Sequence, residues 1–344
     1  MGNRHTLTNG DIQARIRKGW QPNRYLSNMS MAYFAKPGDW VAPVMFPVCP
    51  VTLSTSYYYT FLKGDLARDN VQRKPPYGKV NPAVMGHTDN TYKCEVDQII
   101  TGIDQIGTLD YQRSNSPASI DPRRVKVKFI SEQMSLHLDV LFAKNFFCPD
   151  VWENEMSGIA SGTPGAGQFL KFSDANFDPV HFFNARRREI KREGRREPNK
   201  LALGYDAYLA LTEHPDILER VKYTGSTANP AIVTRQVLAQ ILQIEEIAVL
   251  ESTYNVAEPG QPDNMQFICD SKGALLCYAT PSPAIDEPSA GYIFTWDMLG
   301  NGNWMATDQY EGEGGTHTDF MEGLMSTDMK KTSDDLACYM KDCV

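Results

Sequence analysis

Nowhere does this sequence run for about 18 consecutive apolar residues without a charge, which is what a membrane-crossing helix would need. The most apolar stretch, Leu138 to Phe147, is interrupted by Asp139 and Lys144. No contact with a membrane is expected. The first twenty residues carry Arg4, Arg15, Arg17 and Lys18 but no apolar segment, so they read as neither a secretory signal nor an anchor, and folding in a cytoplasm is the default. Histidine is scarce: the six stand apart at positions 5, 87, 137, 181, 214 and 317, without the clustered spacing of a zinc site. The seven cysteines, at 49, 94, 148, 269, 277, 338 and 343, form no CxxC pair and read as reduced, mostly buried thiols.

Catalytic signatures are missing as well. There is no GxSxG elbow, no cysteine with a recognisable nucleophile motif and no acidic pair in a defined motif. The glycine-rich run Gly162 to Gly167 follows no strand and precedes no Gly-Lys-Ser/Thr, so it reads as a loop and not as a phosphate cradle. No metal or other cofactor is expected. A surplus of positive charge is also absent: 34 Lys and Arg face 42 Asp and Glu, a net charge of −8 that excludes a uniformly basic nucleic-acid binder. What is present is globular. Hydrophobic residues make up 42% and charged residues 22% of 344 positions, enough for two or three folded units at about 150 residues each.

Residues 1 to about 50 look extended. Trp20, Tyr25, Tyr33, Phe34 and Trp40 are spaced by Pro22, Pro37, Gly38, Pro43 and Pro47, and six basic residues outweigh Asp11 and Asp39. Such a segment cannot build its own core, so it is expected to lie as an arm on other surfaces. From Val51 the pattern becomes strand, with Tyr57, Tyr58, Tyr59 and Phe61 as aromatic β-formers. Asp65 to Val84 then mixes Arg68, Arg73, Lys74 and Lys79 with Pro75, Pro76, Gly78 and Pro82, after which Tyr92 to Ile100 resumes a strand-like pattern. The spacing predicts a projecting hairpin. A two-stranded ribbon is only marginally stable alone, so this one predicts a partner.

Ser119-Ile120-Asp121-Pro122 reads as a helix start, and Val127, Ile130, Met134, Leu138, Leu141 and Phe142 make one buried stripe. The helix is expected to stop before Cys148-Pro149. His137, beside the stripe, reads as a core or interface histidine rather than a general base. Ser157 to Gly167 is expected to be a loop, and Asp178-Pro179 to open a helix that ends at Gly194. The basic run Arg186, Arg187, Arg188, Lys191, Arg192, Arg195 and Arg196 is interleaved with Glu189, Glu193 and Glu197, which suits a solvated, internally paired helix face better than a nucleic-acid contact. Leu201 to Gly204 and Ile247 to Leu250 read as strands alternating with helices, an α/β layer. Strands return from about 265 to 299, and a last strand or two near Leu336 to Val344 is expected to rejoin an earlier layer.

This order of elements resembles the HK97-fold major capsid proteins of tailed bacteriophages. Pro43 to Val51 resembles their Phe-Pro-x-x-Pro-Val entry to the hairpin, here Phe46-Pro47-Val48-Cys49-Pro50-Val51. Asp178-Pro179, Gly194, Pro198 to Gly204 and His214 to Leu218 resemble the family's middle segment, and Pro288 to Trp296 its late strand. The resemblance implies an α+β fold with an N-terminal arm (1–50), an E-loop hairpin (51–98), a P-domain with a long spine helix (99–150), an α/β A-domain (151–299) and return strands to the P-domain (300–344). It implies a coat protein, not an enzyme, that self-assembles into pentamers and hexamers of an icosahedral shell around double-stranded DNA, formed in the host cytoplasm and residing in the virion. Scaffolding and portal proteins, and a decoration protein, are the further partners it implies. The chain reaches its hairpin by about residue 55, so no scaffolding extension is expected ahead of the arm, and no cross-link is assigned to Lys63, Lys74 or Lys79.

On this reading the subunit contacts fall on Trp20, Phe34 and Trp40 of the arm, on Tyr57, Tyr58, Tyr59 and Phe61 at the hairpin root, and on Arg68, Arg73 and Lys74 of its tip. Arg4, Arg15, Arg17 and Lys18 are the candidates to face DNA, while the acidic remainder lets DNA be packed and later leave. Two other readings stay open at this point. An encapsulin-type nanocompartment shares the fold and encloses enzyme cargo; a soluble α/β enzyme would need a pocket of perturbed titratable groups.

Overall fold

The computed structural model describes residues 40–61, 63–74, 76–106, 122–224, 233–283, 287–300 and 304–344. The chain enters through one helical turn, α1 (Ala42–Met45), and a short strand, β1 (Val48–Val51). It runs out as β2 (Thr55–Phe61), makes a short helix, α2 (Lys63–Ala67), and returns as β3 (His87–Lys93). β4 (Glu95–Asp104) precedes the long helix α3 (Pro122–Asn145). Next come β5 (Glu155–Ile159), β6 (Gln168–Leu170), α4 (Pro179–Gly194), β7 (Lys200–Gly204), α5 (Tyr205–Glu213), α6 (Pro215–Thr224), α7 (Arg235–Leu242) and β8 (Glu246–Leu250). The last part holds β9 (Thr253–Asn255), β10 (Met265–Phe267), β11 (Ala274–Cys277), β12 (Gly291–Trp296), α8 (Asp297–Gly300), β13 (Met305–Glu311), β14 (Thr318–Lys331) and β15 (Ala337–Lys341).

β14 organises the first sheet. β4 pairs antiparallel along one edge, against Thr318 to Thr327, while the other edge is shared by β13, against Asp319 to Met325, and β12, against Thr327 to Lys331. β1 completes the sheet as the parallel neighbour of β12. Side chains alternate along a strand, so Met321 and Met325 of β14, with Ile99 and Ile103 of β4, point to one face. There they meet Val127, Ile130, Met134, Leu138 and Phe142 of α3, the stripe expected from the sequence. With 24 residues α3 is a rod of about 36 Å.

Gly323 lets that rod lie close. A Cβ there would sit 2.4 Å from Ile130 Cγ2 and 3.3 Å from Ile99 Cγ2. Gly323→Ala is therefore expected to cost about 1–3 kcal/mol by overpacking, read as a lower urea midpoint with an unchanged slope.

The second sheet has the order β6-β5-β15-β11-β7-β8. Both faces are covered, which explains the near-continuous apolar wording of its central strands. Leu201, Leu203, Leu276, Cys338 and Met340 face a core that includes Phe183 and Ile190 of α4, Leu211 of α5, Ile217 of α6 and Leu238 of α7. Ala202, Leu275, Cys277 and Tyr339 face the other way, into the core shared with α3. Asp178 caps α4 by accepting from His181 N at 3.0 Å, and Thr234 caps α7 by accepting from Val237 N.

Several elements differ from the sequence reading. The start of α3 at Ser119 to Asp121 lies outside the described residues. The supposed loop from Ser157 begins as strand: Ser157 to Ile159 belong to β5, held in parallel register by β15 and β6, and only 160–167 connect. The run Tyr92 to Ile100 is two strands broken at Cys94, whose N–H donates to Ser54 O at 2.8 Å. The expected layers also interleave. β12, from within 151–299, lies in the first sheet with β13 and β14, whereas β15, from within 300–344, lies in the middle of the second. The reason for β15 is its composition: Ala337 to Met340 is apolar on both faces, so it is stable only with cover on both.

Candidate interaction surface

β2 and β3 pair antiparallel from Thr55↔Lys93 to Phe61↔His87 and, among the described residues, join no other strand. Period-two alternation gives this ribbon two unlike faces. Tyr58 and Tyr92 turn inward onto Phe294 of β12, with ring centroids at 5.3 and 4.8 Å. They belong to a small core with Cys94, Trp296, Leu299, Ala306 and Leu324, which roots the ribbon on the first sheet. Further ties are Lys93 N donating to Asp328 Oδ2 at 2.8 Å and Trp296 Nε1 donating to Thr52 O at 3.2 Å. Tyr57 and Tyr59 turn outward and are 67% and 61% exposed. The Tyr59 ring meets His87 edge-on at 5.0 Å, and His87 Nε2 lies 3.4 Å from Asp89.

Beyond the paired strands, the described residues from 68 to 86 contain one turn and no helix or strand. Val71, Tyr77, Val84 and Met85 are exposed there, with Val71 90% open to solvent. Exposed apolar groups gathered on one projection mark an interaction site, because a lone subunit gains nothing from wetting them.

The entry segment is pinned by a group that the sequence reading passed over. Asp139 lies on the buried side of α3, where its carboxylate accepts from Val41 N at 3.2 Å, Ala42 N at 3.0 Å and Ser252 Oγ at 3.1 Å. One acid thus ties α3 to the turn α1 and to the loop after β8. The available signal was an acid interrupting an apolar run. Burial pushes this carboxyl up from 3.8 to about 6, against the lowering effect of its three donors. A folded-state value above the unfolded one contributes stability that is fully present below about pH 4 and lost as pH rises through about 6. Asp139→Asn keeps an oxygen for the backbone donors and removes the charge. Its stability relative to the parent is expected to rise between pH 4 and 7 by about 2–3 kcal/mol, and a pH-independent difference in denaturant midpoint would refute this.

The remaining predicted contacts are scattered. Trp40 and Phe61 are half-buried, and Arg68, Arg73 and Lys74 are exposed. Tyr58, expected on the contact surface, instead packs within its own subunit on Phe294. Trp20 and Phe34, and the basic Arg4, Arg15, Arg17 and Lys18, lie outside the described residues. His137 is not a core histidine: its side chain is 44% exposed and lies 3.4 Å from Asp97. Glu132, Val125 and Phe129 continue this open side of α3, a surface that the sequence reading did not single out.

The basic run on α4 is largely engaged with acids. Arg187 and Lys191 share Glu197, Arg192 pairs with Glu193 at 2.8 Å, Arg186 with Glu189, and Arg196 with Glu287 at 3.8 Å. Burial pushes the thiols of Cys94, Cys277 and Cys338 up to about 12 and raises those of Cys269 and Cys343, so their reactive thiolates are disfavoured. Among the described residues no group of three or more His, Cys, Asp or Glu is placed to hold a metal ion, and no helix is long and apolar enough to cross a membrane. An open recess of about 410 Å³ beside α5 is lined by Asp206, Glu213, His214 and Val344; the buried His214 ring is spanned by Asp174 O at 3.2 Å and Asp216 N at 3.3 Å.

No protein-family model matches the chain. It is similar to the major capsid protein of Burkholderia phage BcepMu, 23% identical over 231 residues, which is 67% of this chain and 68% of that one. Among solved structures it is similar to a phage-related protein from Bordetella bronchiseptica, with a TM-score of 0.69 at 19% identity over 94% of this chain and 97% of that one. It is also similar to the capsid of the cyanophage P-SCSP1u, with a TM-score of 0.50 at 10% identity over 89% of each chain. The mixed α+β fold is that of phage shell proteins, and it extends over nearly the whole chain.

Proposed function

We infer that this chain is the major capsid protein of a phage, and that its outward-facing ribbon is the means by which copies hold one another. The observation that carries the reading is the pair Tyr57 and Tyr59, held 67% and 61% exposed on a rigidly paired ribbon whose opposite face is already used within the subunit. Tyrosine supplies large, amphipathic contact area at low cost in side-chain entropy, which suits a contact surface. The phage relative favours a genome shell over a cargo-enclosing nanocompartment. The capsid relative supports a structural role for the chain.

In the terms of the HK97 fold, the ribbon acts as the E-loop, the first sheet with α3 as the P-domain, and the second sheet with α4 to α7 as the A-domain. Pentamers and hexamers form as each ribbon lies over the next subunit, and the half-buried Trp40 continues the contact toward the arm. Arg4, Arg15, Arg17 and Lys18 face packaged double-stranded DNA, which they hold through phosphates without sequence preference. Scaffolding, portal and decoration proteins complete the assembly, in the host cytoplasm, of a shell that becomes the virion. Sedimentation and negative-stain microscopy of the purified chain, alone and with candidate scaffolds, test this. Closed shells are expected; a monodisperse monomer under every condition would overturn it.

A further inference from the structure

The tip of the ribbon does not float free of its own subunit. Lys63 Nζ, at the start of α2, lies 2.7 Å from Asp335 Oδ2 and 3.8 Å from Glu193 Oε2. At the other end of α2, Arg195 Nη1 donates to Leu66 O at 3.0 Å. Glu193, Arg195 and Asp335 come from two separated segments, yet they form a preformed notch. Arg195 ends α4 in the left-handed conformation at φ 60°, and a Cβ on Gly194 would lie 2.5 Å from Leu336 Cδ2 and 2.9 Å from Asp335 O. The end of α4 is thus pressed against the loop that carries Asp335, and Leu336 is itself fully buried there.

α2 has the opposite character. It is five residues long and buries none of them. A helix this short is not stable alone, so it is held by its polar contacts with the notch together with Gly86 N donating to Asp65 Oδ2 at 3.0 Å within its own loop. The side chains of Lys63, Glu193 and Asp335 are all close to half exposed. Such pairs are weak and screened by salt, which suits a contact made to be released. The segment 63–86 carries Lys63, Arg68, Arg73, Lys74 and Lys79 against Asp65 and Asp69, so carboxylates are the partners it selects: Asp335, and Glu193, which it shares with Arg192 at 2.8 Å.

We propose that the notch of Glu193, Arg195 and Asp335 is a parking site for the ribbon in the free subunit, and that it must open before the ribbon can cover a second copy. This rests on the reading of the chain as a shell subunit. While parked, the ribbon is fixed to its own subunit at both ends, by Tyr58 and Tyr92 at the root and by α2 at the tip, and cannot reach a neighbour. Assembly then draws on the open fraction only.

The test locks the contact. Lys63→Cys with Asp335→Cys, joined by a short cleavable bis-maleimide, is compared with each single variant to account for the native cysteines. The link is expected to form within one chain in dilute subunits, and the linked subunit to assemble at least about tenfold more slowly until the linker is cleaved. Independently, Lys63→Glu is expected to speed the onset of assembly and to lower deuterium protection of residues 63–67, with Asp335→Lys in the same chain restoring both. A link found only between chains, a linked subunit that assembles at the parent rate, or unchanged exchange at 63–67 in Lys63→Glu would each overturn the proposal. Failure of the shell reading is distinguishable: the unmodified chain would then form no shells, while the intrachain link and the exchange data would still report on the notch.

Discussion

Replacing Tyr57 and Tyr59 together by serine is expected to abolish shell formation at concentrations where the parent assembles, and to leave the subunit folded. Both rings are already exposed in the free chain, so their removal leaves no cavity, and a change in subunit stability within about 0.5 kcal/mol is expected. Buried against a neighbour, each aromatic anchor contributes about 2 kcal/mol. Loss of both raises the threshold concentration for assembly by two to three powers of ten, at about 1.4 kcal/mol per tenfold. Light scattering against concentration, with thermal unfolding of the same samples, separates the two effects. Tyr58→Ser is the internal contrast. That ring packs on Phe294, so its loss is expected to loosen the root and lower the unfolding temperature. Equal effects on stability from inward and outward tyrosines would contradict the two-faced ribbon.

The largest effect on the fold itself is expected at Phe146. This ring is fully buried where α3 ends, 4.5 Å from Phe46, 5.9 Å from Phe142 and 6.2 Å from Trp152 between centroids. Its backbone carbonyl accepts from Trp152 Nε1 at 2.7 Å, and a Cβ on Gly291 of β12 would lie 2.9 Å from the ring. The entry segment, the rod and the first sheet therefore converge on one side chain. Next to it, Phe147 meets Tyr339 of the second sheet edge-on at 5.5 Å. Phe146→Ala removes a ring that its neighbours cannot close over, for an expected cost of about 3–5 kcal/mol. Urea unfolding measures it. A loss under about 1 kcal/mol would mean that the junction repacks, and that the convergence seen here is not what joins the layers.

The parts of the fold that could be read from the sequence are those whose burial is one-sided or locally punctuated. The stripe of α3 is legible because it is buried on one side, and α4 because Asp178-Pro179 opens it and Gly194 ends it. β7 and α5 follow directly from the run Leu201-Ala202-Leu203-Gly204-Tyr205, where two-sided burial gives way to helical spacing. Strand partners were not legible. β12 and β15 carry similar apolar wording, and only long-range register sends one to each sheet. β5 was hidden because Glu155 to Ile159 contains serine and glycine, and its pairing with β15 is set far away in the chain.

The candidate surface was legible to the same extent. The tyrosine run announces a ribbon, but which tyrosines face outward depends on register against β3 and on the position of Phe294. The sequence reading put Tyr57, Tyr58 and Tyr59 together on the contact surface; period-two alternation splits them, and only the structure says which set is inside. Asp139 was read as an interruption of an apolar run; its role needs Val41, Ala42 and Ser252, about a hundred residues away on either side. The notch needs Glu193 and Asp335, which no spacing rule connects.

A cryo-EM reconstruction of the assembled particle puts the central claim most directly at risk. The outer rings of Tyr57 and Tyr59 are expected to be buried against the adjoining copy, with α2 lifted from Glu193 and Asp335 of its own subunit. Particles whose ribbons leave those rings in solvent, or subunits held together entirely by other surfaces, would contradict it.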